Sequence, residues 1–368
     1  MLKRAISSLC VVALALIGSV AGLGAGPGTA AAHGRASGMH DDGYHVRNLV
    51  SDVPGWASSV DPKLVNAWGL AAGPATPWWV ADNGTNVSTL YTGDGTKLPL
   101  NVRVGGAPTG TVFNGGPNFV VRHGGASGPS VFLFATESGT IRGWNPGTPT
   151  PIPSTRSFTV VNRHGKGAIY KGLALISGPQ GDLLYATDFV NARVDVFDGS
   201  FDRLSWPGAF VDPHIPSGWA PFGIQAIRNK VFVTFAKQNG DDEADGPGLG
   251  YVDMFSMRGR FLARVATRHE LNAPWGLAWA PANFGRFGGD LLVGNFGDGT
   301  IHAYGWGPHG FWLDGTLTRP NGSDVAIDGL WAIAFGNGSA AGAKNALFFT
   351  AGPQDESHGL FGRIVAED

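Results

Sequence analysis

The sequence predicts an all-β fold, a six-bladed β-propeller, and three observations support this prediction. Glycine accounts for 58 of the 368 residues and charged residues for only 15%, which is typical of many short strands joined by tight turns. Apolar runs of four to six residues, separated by Gly, Asn, Asp and Pro, occur along most of the chain. A related unit also recurs about every 50 residues, which is the signature of a repeat architecture.

Each unit begins with a short apolar run of the kind seen in Trp275-Gly-Leu-Ala-Trp279. The glycine or its equivalent stands at positions 69, 110, 172, 223, 276 and 332, so the spacing is 41 to 62 residues. A second apolar run follows, such as 291–294, and then a third, alternating run, such as 300–304. Six units of three or four strands predict six blades. Two stacked sandwiches are the alternative, but they need no sixfold repeat.

The segment 45–50 precedes the first unit and alternates like a strand. We expect it to supply the outer strand of the last blade and to close the ring, because closure removes exposed sheet edges. The predicted propeller domain is therefore residues 45–368.

The N-terminus has the pattern of a secretory signal peptide. Lys3 and Arg4 precede an apolar stretch at 5–20, and Ala30-Ala31-Ala32 offers a cleavage site. We expect a signal peptide at 1–32, a flexible leader at 33–44 and a secreted mature protein. A membrane anchor is the alternative, but the apolar run is short for a span.

The only cysteine, Cys10, lies inside the expected signal peptide. The mature chain would then have no disulfide and no thiolate metal site. The net charge of −2 and the lack of a basic stripe disfavour nucleic-acid binding. No later stretch is long and apolar enough to span a membrane, and we expect a monomer.

Several phrases carry a resemblance to a known family: NLVSD, LVNAWGLA, WWVADNGT, FATESGTIRGWNP, APFGIQAI, GGDLLVGNFGDGTI and GLWAIAFGNG. On these phrases, which lie within residues 45–365, the chain resembles an uncharacterised family of secreted bacterial propeller proteins. It is more distantly similar to NHL-repeat and gluconolactonase-like propellers. That superfold includes metal hydrolases, lyases and binding modules, so the resemblance implies a fold without choosing a chemistry.

In a propeller, the start of each first strand and the end of each second strand open on one face, around the central channel. Two sets of polar and aromatic residues are expected there. Glu137, Asp188 and Lys237 form the candidate catalytic constellation, in which carboxylates in different environments would act as acid and base. The candidate ligand-binding residues are Trp68, Asp82, Asn83, Lys171, Phe222, Gln238, Trp275, Asn295 and Trp331. Capping of strand ends is the alternative role for each polar residue.

An acidic insertion in the fourth unit, 239–246, resembles the start of a calcium loop. Asp241, Glu243 and Asp245 alternate and are followed by Gly246, so their oxygens could wrap Ca²⁺ or another divalent cation. Glu at the third position weakens the match, and a solvated acidic loop is the alternative.

Three functions stay open at this stage. The first is binding of a small-molecule or glycan ligand, small or polymeric, at the channel mouth. The second is a metal-dependent, lactonase-like hydrolase or lyase that uses the same face. The third is an extracellular protein-interaction scaffold, which would require a broad apolar patch.

Overall fold

The computed structural model describes residues 43–149, 152–178 and 181–367. The predicted signal peptide and most of the predicted leader lie outside the described residues. Within these ranges the chain has no α-helix, and its two 3-10 helices are His164–Lys166 and Gly285–Phe287. No helix in this part of the chain is long and apolar enough to cross a membrane.

In the described residues the strands form six sheets of four or five strands, which are the blades of the predicted propeller, and one separate two-stranded sheet. Each blade is built mainly of consecutive antiparallel strands. The strands preceding the first blade are β1 (Tyr44–Ser51) and β2 (Ser59–Val60). Blade 1 contains β3 (Ala67–Ala71), β4 (Trp78–Asp82), β5 (Val87–Tyr91) and β6 (Lys97–Arg103). Blade 2 contains β7 (Pro108–Phe113), an inserted hairpin of β8 (Val120–His123) and β9 (Ala126–Pro129), and then β10 (Phe132–Thr136), β11 (Thr140–Trp144) and β12 (Phe158–Asn162).

The second half of the chain repeats the pattern. Blade 3 contains β13 (Tyr170–Ile176), β14 (Leu183–Asp188), β15 (Arg193–Asp198) and β16 (Arg203–Leu204). Blade 4 contains β17 (Trp219–Ile227), β18 (Lys230–Asn239), a short β19 (Asp242–Ala244), β20 (Tyr251–Ser256) and β21 (Phe261–Thr267). Blade 5 contains β22 (Pro274–Trp279), β23 (Leu291–Asn295), β24 (Ile301–Gly307) and β25 (Gly310–Thr316), and blade 6 contains β26 (Leu330–Phe335), β27 (Leu347–Ala351) and β28 (Leu360–Ala366).

The N-terminal strand closes the ring, as the sequence predicted. Strand β1 pairs antiparallel with β28, from Tyr44 opposite Ala366 to Ser51 opposite Leu360. The first and last strands of the propeller therefore share blade 6, so the two ends of the domain are held by ladder hydrogen bonds instead of being left as free edges.

The first strand of every blade packs against the first strand of the next, forming an inner ring. The repeated glycine permits this close packing. A Cβ on Gly223 would lie 2.1 Å from the carbonyl oxygen of Trp275 in the next blade, and one on Gly69 would lie 2.3 Å from that of Thr109. Real Cβ atoms do not approach backbone so closely, and glycine is therefore needed where neighbouring strands touch.

A bulge in each inner strand, at or beside this glycine, interrupts the ladder. In blade 3 the Thr187 hydroxyl accepts a hydrogen bond from the Gly172 N–H and donates one to the Phe222 carbonyl of the next blade, both at 2.7 Å. Thr234 likewise accepts from the Gly223 N–H at 2.8 Å. These hydroxyls satisfy the backbone groups that the bulge leaves unpaired and join adjacent blades.

Candidate functional site

The residue before each repeated glycine lies beside the central axis. At this level the side chains of Trp68, Phe222 and Trp331 are buried in one cluster, with Trp275 packed against it. The rings of Trp68 and Trp331 stack with centroids 3.6 Å apart, and Trp275 meets both rings edge-on at 6.4 and 6.0 Å. We call this cluster the indole plug, because it fills the middle of the central channel.

Lys171 occupies the same pre-glycine position in blade 3. Its side chain is 1% exposed, and its ammonium donates to Glu137 Oε1 at 2.7 Å and to Asp242 Oδ1 at 2.8 Å. The same ammonium lies 5.1 Å from the ring centroid of Trp68, within the range of a cation–π contact. Lys171 thus connects the indole plug to the carboxylates above it.

Two amides extend this network around the channel. Asn83 donates to Glu137 Oε2 at 3.0 Å, and Asn66 donates to Glu356 Oε2 at 2.7 Å. The Asn66 carbonyl oxygen accepts from the Trp331 indole N–H at 2.8 Å. Groups from blades 1, 2, 3, 4 and 6 therefore meet at one end of the channel.

Glu356 is brought to this network by an unusual loop. Residues 354–356 all have positive φ, between 52° and 64°. This conformation is costly for residues other than glycine, asparagine and aspartate, and persists where the surroundings enforce it. The hydrogen bond from Asn66 to Glu356 is one contact that holds it.

A fourth carboxylate, Glu243, reaches the same end of the channel on the β18–β19 hairpin. Its Oε2 atom is buried and has no hydrogen-bond partner among the described residues. Burial raises the pKa of Glu243 to about 7, although the nearby Lys171 acts to lower it. We call this end of the channel the acidic mouth, defined by Glu137, Asp242, Glu243 and Glu356 together with Lys171, Asn66 and Asn83.

The pKa values of Lys171 and Glu356 are also shifted, because several charged groups are buried close together at the acidic mouth. Burial alone would lower the pKa of Lys171, but Glu137, Glu243 and Asp242 outweigh it, so the pKa lies above its ordinary value. Burial raises the pKa of Glu356, although Lys171 and the Asn66 hydrogen bond oppose the shift. One ammonium therefore lies among four carboxyl groups and cannot balance all of their charge. The acidic mouth has an excess of negative charge.

The opposite end of the channel differs in shape and chemistry. A cavity of about 280 Å³ opens there, and five of the six inner strands contribute to its wall. None of the described residues that line it is charged. The wall is mainly apolar and includes Leu70, Val112, Phe113, Leu175, Ala226 and Phe335, with the polar residues Thr111, Gln225 and Asn337 among them. We call it the apolar mouth.

The structure does not bring the predicted catalytic constellation together. Lys237 is exposed and lies where β18 continues into the hairpin, and Asp188 is buried and bound by Arg193 at 2.8 Å and Asn191 at 2.9 Å. Of the three, only Glu137 lies at the acidic mouth. The lysine that lies buried at the acidic mouth is Lys171, which the sequence placed among the ligand-binding residues.

Of the predicted ligand-binding residues, six lie at the acidic mouth or in the indole plug: Trp68, Asn83, Lys171, Phe222, Trp275 and Trp331. The other three lie outside both regions, where their side chains are buried or bound to backbone groups. Asp82 is buried inside blade 1, and burial raises its pKa well above the ordinary value. The Gln238 amide donates to the Phe189 carbonyl at 2.8 Å, and the Asn295 amide donates to the Glu270 carbonyl at 2.8 Å.

The predicted calcium loop is not formed. Residues Asp242–Ala244 are a strand paired with β18, and alternate side chains along a strand lie roughly 6.5 Å apart instead of wrapping one ion. Asp241 and Asp245 are exposed. Within the described ranges, no group of three or more His, Cys, Asp or Glu side chains is placed to hold a metal ion.

Three members of the acidic mouth were not among the predicted site residues. Asn66 and Glu356 stand at the expected strand ends, so the topology pointed to them, but their side chains looked like ordinary turn residues. The calcium pattern selects the residues on either side of Asp242, so it does not identify this carboxylate. The topology does indicate it, because the hairpin that carries Asp242 lies at the channel end.

The comparisons with known proteins agree with the fold. No protein-family model matches the chain. The structure is similar to an apo aldose sugar dehydrogenase from Escherichia coli, with a TM-score of 0.53, 13% identity, and coverage of 88% of this chain and 100% of that chain. It is also similar to a streptogramin B lyase, with a TM-score of 0.53, 8% identity, and coverage of 88% and 98%. At these identities the likeness shows the fold alone.

Two relatives are much closer in sequence, and both are uncharacterised proteins of Acanthamoeba polyphaga mimivirus. R648 is 32% identical over 339 residues, which cover 88% of this chain and 80% of the relative. L690 is 31% identical over 340 residues, which cover 88% and 86%. The bacterial family expected from the sequence phrases is wrong, because these relatives are viral. By identity and coverage, the chain belongs to the same family as these mimivirus proteins.

Proposed function

We propose that the protein binds a small organic cation, an amine or a quaternary ammonium, at the acidic mouth. The observation that carries the proposal is the meeting of four carboxylates and one lysine above the indole plug. A cation there would balance the excess negative charge. Uncharged polar ligands would gain no such contribution.

The solvent-facing part of the network suits such a ligand. The Asp242 side chain is 71% exposed and that of Glu137 is 28% exposed, whereas Lys171 beneath them is 1% exposed. A ligand ammonium arriving from solvent would meet the carboxylates first. Lys171 would stay below, fixing the direction of Glu137 and Asp242.

An organic cation is preferred to a metal ion for a geometric reason. A metal ion draws its ligands to within about 2.6 Å of one point, and no such group of side chains occurs in the described part of the chain. An alkylammonium is larger and can bridge carboxylates that lie further apart.

Export of the protein and its monomeric state stay predictions from the sequence.

Binding can be tested by titration calorimetry at low ionic strength with putrescine, spermidine and choline, with glucose and malonate as neutral and anionic controls. We expect at least one cation to bind and to raise the melting temperature, and neither control to do so. Failure of all three cations, or equal binding of glucose, would contradict the proposal.

The matched variants are Asp242→Asn and Asp241→Asn. Both remove one negative charge from adjacent positions, but only Asp242 belongs to the network. We expect Asp242→Asn and Glu137→Gln each to weaken cation binding by about tenfold, equivalent to about 1.4 kcal/mol. Asp241→Asn should change it less than about twofold. Equal losses for Asp241→Asn and Asp242→Asn would mean that overall charge, not the site, attracts the cation.

A further inference from the structure

A second recessed surface lies at the junction of blades 4 and 5. It is a groove of about 210 Å³ whose wall includes Trp279, Trp306, Phe311, Phe232, Arg228 and Lys230. We call it the rim groove. It uses the outer hairpin β24–β25 and the β17–β18 turn, and no residue of the acidic mouth contributes to it.

Four of the eight residues that line the groove are aromatic. Trp306 is 46% exposed, and its ring lies against Phe311 with centroids 4.3 Å apart. Phe232 meets Phe311 and Trp279 edge-on at 6.2 and 6.5 Å. An indole that is half exposed yet held in place by another ring presents a fixed flat surface, which suits stacking on a ring of a ligand.

The charged residues of the groove are both cations. The Arg228 guanidinium lies 4.1 Å from the ring centroid of Trp279, and Lys230 stands two residues further along. Within the described ranges, no ion pair joins either residue to a carboxylate, and no acidic residue lines the groove. The groove is therefore complementary to an anion, in contrast to the acidic mouth.

The backbone at Arg228 supports a role for its side chain. Arg228 and Asn229 form the two-residue turn between β17 and β18, with φ of 49° and 59°. Such turns favour Asn-Gly, because both central residues need positive φ. An arginine in the first position costs stability, and its guanidinium is held over Trp279 at the edge of the groove.

From these observations we infer that the rim groove binds an acidic saccharide, a chain that contains uronic acid units. A sugar ring would stack on Trp306, and its carboxylate would pair with Arg228 and Lys230. Single-stranded nucleic acid also combines rings with negative charge. However, its backbone requires a track of several cations, and this groove has two.

Affinity electrophoresis tests the inference with polygalacturonate and alginate in the gel and with dextran as the neutral control. We expect both acidic polymers to retard the protein, dextran not to, and the retardation to weaken as salt is raised. Absence of retardation by both acidic polymers would overturn the inference. Equal retardation by dextran, or tighter binding of a single-stranded oligonucleotide, would also overturn it.

The chain offers a matched control for the indole. Trp312 is 51% exposed on the same hairpin, but it pairs with Gly305 on the opposite face from Trp306 and Phe311. We expect Trp306→Ala to weaken binding about tenfold and Trp312→Ala less than about twofold. The reverse order would place the saccharide on the other face and overturn the inference.

Arg228→Gly separates binding from folding. Glycine suits the positive φ of this turn, so the melting temperature should hold or rise. Retardation by the acidic polymers should fall about tenfold. A variant that keeps both its melting temperature and its retardation would show that Arg228 does not contact the polymer.

Discussion

The two ends of the central channel lie at opposite ends of one ring of inner strands, yet they are opposite in character. The acidic mouth is crowded, with a buried lysine, four carboxylates and a hairpin from blade 4. The apolar mouth is an open cavity whose described wall carries no charge. The indole plug separates them.

The difference follows from position within the repeat. After the glycine, the inner strands carry interchangeable aliphatic residues, such as Leu70, Leu173 and Ile224. Before the glycine, the blades differ, and Lys171 stands where other blades have aromatic residues or threonine. A repeat can keep the packing positions uniform while single blades acquire distinct groups at one end. The acidic mouth is thus the specialised end of the channel.

The largest expected effect comes from removing the charge that holds the acidic mouth together. Lys171→Met keeps most of the apolar stem but leaves the carboxylates without their buried counter-charge. Breaking a fully buried ion pair costs about 3–5 kcal/mol, and the exposure of Asp242 and Glu137 lowers this cost. The free energy of unfolding, measured in urea at pH 7, should therefore fall by about 3 kcal/mol.

Lys237→Met is the matched control, because this lysine is exposed and lies outside the network. The substitution should change the free energy of unfolding by less than about 0.5 kcal/mol. Similar losses for the two variants would mean that the acidic mouth contributes no more stability than an ordinary surface.

The second effect concerns the ring of inner strands that surrounds the channel. Gly223→Ala would place a Cβ 2.1 Å from the Trp275 carbonyl oxygen, so blades 4 and 5 would have to separate. We expect a loss of about 2–4 kcal/mol in thermal or urea unfolding, from overpacking against backbone. Gly165→Ala, at a position with nothing within 4 Å, should change stability by less than about 1 kcal/mol.

The third effect is a pH dependence at the acidic mouth. The folded-state pKa of Glu243, about 7, lies above its ordinary value of 4.5. The stabilisation of the protonated form is therefore complete below about pH 4.5 and is lost as pH rises through 7. Glu243→Gln mimics the protonated form, so its stability relative to wild type should rise between pH 5 and pH 8.

The expected rise is on the order of 1–2 kcal/mol, and it can be followed by melting temperature across that pH range. Asp241→Asn, on the exposed part of the same hairpin, should show no such trend. A pH-independent difference for Glu243→Gln would indicate that the carboxyl is hydrated in the folded protein.

The sequence predicted the blades well because their determinants are local and repeated. The recurring apolar runs, with the glycine or its equivalent at 69, 110, 172, 223, 276 and 332, located every inner strand, and the alternation in 45–50 identified the closing strand. The acidic mouth was harder to predict, since it depends on which of several strand-end residues point inward. The side chains of Asp188 and Asn295 bond within their own turns, whereas those of Glu137 and Asn83 bond across the channel. Only the assembled ring distinguishes these two cases.

The smallest expected effect tests whether the two ends act independently. Ala226→Leu adds apolar volume to the wall of the apolar mouth, where the cavity of about 280 Å³ can receive it. Stability should change by less than about 0.5 kcal/mol, and cation binding at the acidic mouth should stay within about twofold, because the stacked rings of Trp68 and Trp331 lie between the two ends. Calorimetric titration of the variant measures cation binding, and urea unfolding measures its stability. A marked change in cation affinity would mean that the indole plug transmits strain along the channel, and the two mouths would then have to be treated as one site.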